Sequence, residues 1–142
     1  MTVKHLAAAL AALLIAGPAM AGIAISDAYA VAATPMAKTG AVYLTITNDG
    51  DTEDRLMQVA STAAARVELH THTNRDGMMA MEHLAEGRVI APHASHALER
   101  GGDHVMFMGL TGSWRQGDLI PLTLEFEDAG EISIEVPVDL TR

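Results

Sequence analysis

Short stretches in which apolar and polar residues alternate dominate the chain after position 21. Every second residue from Val42 to Ile46 is apolar, and the stretch 40–48 ends in the turn-forming residues 48–51. Successive side chains of a strand point to opposite faces, so this alternation predicts a strand with one buried face. We expect residues 55–60 to return beside it as a hairpin partner.

The same two-residue period recurs later in the chain. In residues 65–72, Val67 and Leu69 are predicted to face inward. The opposite, polar face of that stretch carries Glu68, His70 and His72. Further strands are predicted at 78–84 after the turn 73–77, at 119–127, and at 132–138 after the turn 128–130. Many short strands separated by frequent turns, without a helical period after residue 21, predict an all-β antiparallel sandwich.

The stretch 101–110 adds candidate chemistry to this pattern. In a strand, His104, Met106 and Met108 share one face, whereas Val105 and Phe107 share the other. One face can therefore join a core while the other presents an imidazole and thioethers. The upstream segment has similar donors, namely His70, His72, Met78, Met79, Met81 and His83. Such ligands, without any thiol, suit copper and especially Cu(I) far better than magnesium or calcium.

Composition narrows the functional classes. The chain has 142 residues, a net charge of -9 and no cysteine, which favours one globular domain without disulfides. Its nine Lys and Arg residues are scattered, so no nucleic-acid partner is expected, and the acidic balance disfavours binding to an anionic membrane surface. A thiol nucleophile and a blue-copper centre both require cysteine, and no serine lies in a nucleophile elbow. We expect a monomeric binding protein rather than an enzyme.

The first 21 residues have the pattern of an export signal. Lys4 precedes the apolar run 6–16, the breaker 17–18 and the small-residue cleavage site 19–21. We therefore predict a signal peptide over 1–21 and a single mature domain over 22–142, without a membrane span and located in the periplasm. Retention of the segment as a membrane anchor is the alternative.

The order of the candidate ligands resembles the periplasmic CuA chaperone family (PCuAC), whose motif is His, a spaced Met, and then His-x-Met. The resemblance lies in residues 67–70, 79–81 and 101–110, and it extends to 40–48 and 117–126. It implies a cupredoxin-like Greek-key β-sandwich that binds Cu(I) through His70, Met81, His104 and Met106. Met81 lies at the family's usual interval after His70 and is preferred to Met79. The family also implies delivery of copper to the CuA-bearing subunit of cytochrome c oxidase, or to another copper protein.

Several assignments stay open at this stage. His72 stands where many relatives have Met, and an extra nitrogen ligand would favour Cu(II) somewhat. His93 and His96 are the spare histidines for a second copper, although they are more often loop residues. We assign Met108 to the core or to the surroundings of the site. Two other functions are compatible with the pattern: a copper-sequestering protein without dedicated delivery, and a structural sandwich whose Met residues fill the core.

Overall fold

A computed structural model describes residues 22–142, and ten strands lie within this range. The predicted signal peptide falls outside the described residues. No helix within 22–142 has the length and apolar character that a membrane span requires. The strands are β1 (Ile23–Val31), β2 (Thr39–Asn48), β3 (Asp54–Ala60), β4 (Ala64–Arg75), β5 (Met78–His83), β6 (Arg88–Ile90), β7 (Ala94–Leu98), β8 (His104–Leu110), β9 (Leu119–Phe126) and β10 (Gly130–Pro137).

The strands form two sheets. The first sheet has the order β1-β2-β8-β4-β5, with β7 also paired to β2, and the second has the order β10-β9-β3-β6. All pairs of named strands are antiparallel. The predicted all-β antiparallel sandwich is therefore confirmed.

The apolar core lies between the two sheets. Val105 and Phe107 of β8 and Leu69 of β4 point inward and are buried, as the alternation predicted. Phe107 packs edge-on against the buried Trp114, with 5.1 Å between the ring centroids. Each such large side chain contributes about 1.5–3 kcal/mol by leaving water. The core uses one face of each strand, so the outer face of the first sheet is left for other chemistry.

The predicted hairpin between 40–48 and 55–60 is wrong. Strand β3 pairs with β6 and β9 in the second sheet, whereas β2 belongs to the first. The chain therefore crosses between sheets at residues 49–53. Asp54 then fixes the start of β3, because its buried carboxylate accepts hydrogen bonds from the backbone N–H groups of Asp128 and Ala129 at 2.9 and 3.0 Å. Turn-forming residues indicate that the chain reverses, but they do not specify which sheet it joins.

The hairpin of β4 and β5 is longer than predicted. Strand β4 continues to Arg75, so the turn shrinks to Asp76 and Gly77, which have φ angles of 53° and 82°. Residues 72–75 pair with β5, whereas the pairing of β4 with β8 ends at His70 and His104. The end of this hairpin therefore projects beyond the sheet as two strands.

Candidate metal centre

The outer face of β5, β4 and β8 collects the histidines and methionines singled out in the sequence. His70 on β4 lies directly opposite His104 on β8 and His83 on β5. Residues two apart share a face, so the next cross-strand pairs belong to the same surface. These pairs are His72 with Met81, and Glu68 with Met106. The strand register thus brings all four predicted ligands, and His72, to one face.

The imidazole rings on this face are close together. Ring centroids of His70 and His104 are 5.8 Å apart, and those of His72 and His104 are 5.4 Å apart. Two imidazoles that each bind one ion through a nitrogen at about 2.0–2.1 Å have centroids roughly 5–6.5 Å apart. The observed separations fall in that range. His83 extends the row, with its ring centroid 6.0 Å from that of His70.

Burial of the donors falls off across the face. His104 is only 3% exposed, while Met81 is 51% and Met79 is 63% exposed. The interpretation of Met79 and Met81 as core residues is therefore wrong. Met108 is half-buried on the outer face opposite Thr39 and Arg66, so it is not part of the core between the sheets.

One backbone carbonyl orients two of the rings. Nδ1 of His72 lies 3.1 Å from the Gly102 oxygen, and Nδ1 of His104 lies 3.4 Å from the same oxygen. A carbonyl only accepts, so both Nδ1 atoms carry the hydrogen, and in the neutral rings both Nε2 atoms keep a lone pair for a ligand. Burial lowers the pKa of His104, chiefly by penalising the charged ring, and the neighbouring His72 and His70 act in the same direction. This favours the neutral, metal-binding form at neutral pH.

His70 is held differently, by a carboxylate. Its Nε2 lies 2.9 Å from Oε2 of Glu68, whose Oε1 is 2.8 Å from Nε of Arg66. The hydrogen bond from His70 is the main reason why the pKa of Glu68 lies below its usual value. Within the described part of the chain, Nδ1 of His70 is buried and has no hydrogen-bond partner. Buried polar atoms are rarely left unpaired, so this nitrogen is a candidate ligand atom.

A second carboxylate fixes the start of β8. Asp103 is buried and accepts hydrogen bonds from Nε and Nη2 of Arg88 at 2.6 and 2.9 Å, and from Nε2 of His96 at 2.8 Å. This contact holds the backbone on either side of Asp103, which carries the Gly102 carbonyl and the His104 ring. His96 lies in strand β7, so its interpretation as a loop residue is wrong. Its ring contacts Asp103 rather than a second metal site.

His93 does not join His96. It precedes β7 with a φ of 53°, and its Nε2 lies 2.6 Å from the exposed Asp51. Within residues 22–142, no three His, Asp or Glu side chains form a metal-binding group by themselves. On the outer face of the first sheet, histidines are accompanied by thioethers, which is a soft to borderline donor set.

Comparison with known proteins places the chain in a family. Residues 23–138 match the model of the family described as "Putative lipoprotein LpqE-like". The chain belongs to the LpqE-like family. It is also 29% identical over 117 residues to "Putative lipoprotein Lxx21020" of Leifsonia xyli subsp. xyli, an alignment that covers 82% of this chain and 69% of that protein.

Solved structures resemble the LpqE-like chain over most of its length. The copper-bound PCuAC domain from PmoF2 has a TM-score of 0.69 and 25% identity, covering 84% of this chain and 95% of that domain. The solution structure of CuI-DR1885 from Deinococcus radiodurans has a TM-score of 0.66 and 30% identity, covering 87% of this chain and 83% of that one. The predicted kinship with PCuAC proteins and the cupredoxin-like sandwich are both confirmed.

For this LpqE-like chain, sequence reasoning assigned Glu68 no role and indicated His83 only as one of several donors, without its position beside His70. Glu68 contacts the ring of His70, and His83 lies opposite it. The polar face predicted for residues 65–72 already contained Glu68. Its spacing of two residues from His70 was the signal that the two side chains could be in contact. The position of His83 depends on the register of the hairpin, which alternation alone does not determine.

Proposed function

We propose that this LpqE-like protein binds copper as Cu(I) on the outer face of its first sheet and passes the ion to another copper protein. The observation that carries this proposal is the opposed pair His70 and His104, with Met81 and Met106 on the same face. Two similar structures support it, since one is named as copper-bound and the other as CuI-DR1885. The proposed role requires binding and release, but no catalytic step.

The proposed ligands are His70, Met81, His104 and Met106. Uncharged thioether sulfur is soft and imidazole is borderline, so this set favours Cu(I) over Zn(II). His72 is proposed as an additional nitrogen ligand, because its ring is the nearer neighbour of His104 and its Nε2 retains a lone pair. Such a nitrogen also widens the site's tolerance for Cu(II). Met79 lies opposite Asn74, one step further towards the hairpin end, and is proposed as a peripheral ligand.

Gradual exposure of the site suits transfer of the ion. His104 is buried, Met106 is half-buried, and Met81 is half-exposed on the edge strand β5. An acceptor's ligands can therefore reach the copper from the β5 side while His104 still holds it. By kinship with PCuAC proteins, we propose the CuA site of cytochrome c oxidase as the acceptor. The setting would be the periplasm, reached with the signal peptide 1–21 and occupied by a monomeric domain 22–142.

Competition with a Cu(I) chelator tests the binding step. The domain 22–142 should withdraw about one equivalent of Cu(I) from the chelator, and His104→Ala should reduce this strongly. His93→Ala is the matched control, because His93 is exposed and contacts Asp51 rather than the site. No stoichiometric binding by the unaltered domain would refute the proposal.

Transfer kinetics separate delivery from sequestration. The loaded domain is mixed with a purified CuA-bearing oxidase domain, and the rate is measured at several acceptor concentrations. Direct delivery predicts a rate that rises with acceptor concentration. A rate that equals spontaneous dissociation at every concentration would mean storage with passive release.

A further inference from the structure

We propose that copper is bound through Nδ1 of His70 but through Nε2 of His104, that His72 has the same tautomer as His104, and that Glu68 is the positioning residue that makes His70 differ. The inference rests on the copper site proposed above and specifies which atoms form it. It also gives a role to the carboxylate beside His70.

The hydrogen-bond acceptors around the rings define two orientations. The Gly102 oxygen faces Nδ1 of both His72 and His104. The carboxylate of Glu68 instead faces Nε2 of His70, at 2.9 Å. Carbonyl and carboxylate oxygens accept without donating, so the ring nitrogen that faces each of them carries the hydrogen. In a neutral ring the lone pair then lies on the other nitrogen, which is Nδ1 only in His70.

The burial of that nitrogen provides independent support. Nδ1 of His70 is buried and, within residues 22–142, it has no hydrogen-bond partner. The neighbouring rings of His104 and His83 lie 5.8 and 6.0 Å away, measured between centroids. The lone pair is thus enclosed among imidazoles rather than solvated. A metal ion between His70 and His104 would satisfy it.

Glu68 is itself held in place. Its second oxygen contacts Nε of Arg66 at 2.8 Å, and its side chain is only 18% exposed. It lies two residues before His70 on the same face and opposite Met106. A carboxylate that accepts from the remote nitrogen of a ligating histidine fixes the tautomer and makes the other nitrogen a stronger donor. Glu68 therefore acts on copper through His70, without touching the ion.

Nitrogen-15 NMR of the imidazoles tests the assignment directly. In the metal-free domain, His70 should be the Nε2–H tautomer, whereas His72 and His104 should be Nδ1–H tautomers. Adding Cu(I), which is diamagnetic, should shift Nδ1 of His70 and Nε2 of His104. An Nδ1–H tautomer at His70, or a copper-induced shift at its Nε2 while Nε2 of His104 also responds, would overturn the inference but leave the proposed function standing. No shift at any imidazole would overturn both.

Variants of Glu68 test its role. Glu68→Ala should lower the Cu(I) affinity by about 10–100-fold and mix the two tautomers of His70. Glu68→Gln should restore most of both, because the amide oxygen still accepts from Nε2–H. Glu82→Gln is the matched control, since Glu82 pairs with Arg75 and alternates away from His83. Unchanged affinity and an unchanged tautomer in Glu68→Ala would overturn the role of Glu68.

Discussion

Arg88 binds Asp103 through two parallel hydrogen bonds, at 2.6 and 2.9 Å, and so joins an edge strand of the second sheet to the residue before His104. Asp103 is only 5% exposed, so the hydrogen bonds from Arg88 replace the water that would otherwise solvate its charged carboxylate. Paired guanidinium and carboxylate groups of this kind are geometrically specific. The contact therefore ties the two sheets together at the segment that orients two candidate ligands.

Removal of this guanidinium should destabilise the metal-free protein. Arg88→Met keeps most of the apolar stem of the side chain but removes both guanidinium hydrogen bonds to Asp103. The buried carboxylate then keeps its hydrogen bond from the His96 ring. We expect a loss of about 2 kcal/mol, less than for a fully buried pair because the Arg88 side chain is 35% exposed. Urea unfolding measures the change. Arg115→Met, a surface arginine, is the control, and an equal midpoint in both variants would contradict the expectation.

Asp103 should also make stability depend on pH. Burial alone would raise the pKa of its carboxyl, but hydrogen bonds from Arg88, Thr71 and His96 together bring it below the usual value. The ionised group therefore stabilises the fold above the unfolded pKa of about 3.9, and this contribution is lost as pH falls through the lower folded pKa. Urea unfolding between roughly pH 5 and pH 2 should show a shallower decline for Asp103→Asn than for the unaltered domain. Parallel declines would refute this.

The candidate ligands should differ in their effect on Cu(I) affinity. His104 is buried and held by Gly102, so His104→Ala should weaken binding by more than about 100-fold. Met81 is half-exposed on an edge strand, and Met81→Leu should cost about tenfold. Met78→Leu is a suitable control, because Met78 lies opposite Arg75 and alternates away from the site face. Chelator competition compares them, and full affinity in Met81→Leu would remove Met81 from the ligand set.

The two-residue period is local, and this explains which features could be predicted from sequence. It correctly separated Val105 and Phe107, which pack in the apolar core, from His104 and Met106, because side chains two apart in a strand share a face. It did not predict that His70 lies opposite His83, since that depends on register across the hairpin. The three-residue strand β6 is too short to show a period, so its salt-bridging Arg88 was missed as well.

Removal of copper should leave the fold intact. The buried apolar cluster contains none of the proposed ligands, which lie on the opposite face of the same strands. Metal-free protein should therefore give a β-sheet circular dichroism spectrum and a cooperative melt. Cu(I) should raise the melting temperature, by the equivalent of about 2.7 kcal/mol at a hundredfold excess over Kd. A random-coil spectrum without metal would contradict this independence.

A close approach inside the sandwich should make one glycine intolerant of substitution. A Cβ added at Gly40 would lie 2.7 Å from Cη2 of Trp114, whose ring already packs against Phe107. Gly40→Ala should therefore destabilise the protein by about 1–3 kcal/mol through overpacking. At Gly112 the same methyl group meets no atom within 4 Å, so Gly112→Ala is the control. Equal melting temperatures for the two variants would show that the Trp114 ring yields without cost.

Along β4 and β8, the side chains that form the apolar core and the candidate metal ligands occupy alternate positions. Leu69 in β4 and Val105 in β8 face the core. The residues before and after each of them in its own strand, such as His70 and His104, face the surface that carries the histidines and methionines. Selection can therefore exchange one donor for another without passing through unstable intermediates. His72, which lies opposite Met81 on this face, is one position where such an exchange would leave the core unchanged. Metal preference can thus change through positions on the outer face while the core residues stay the same.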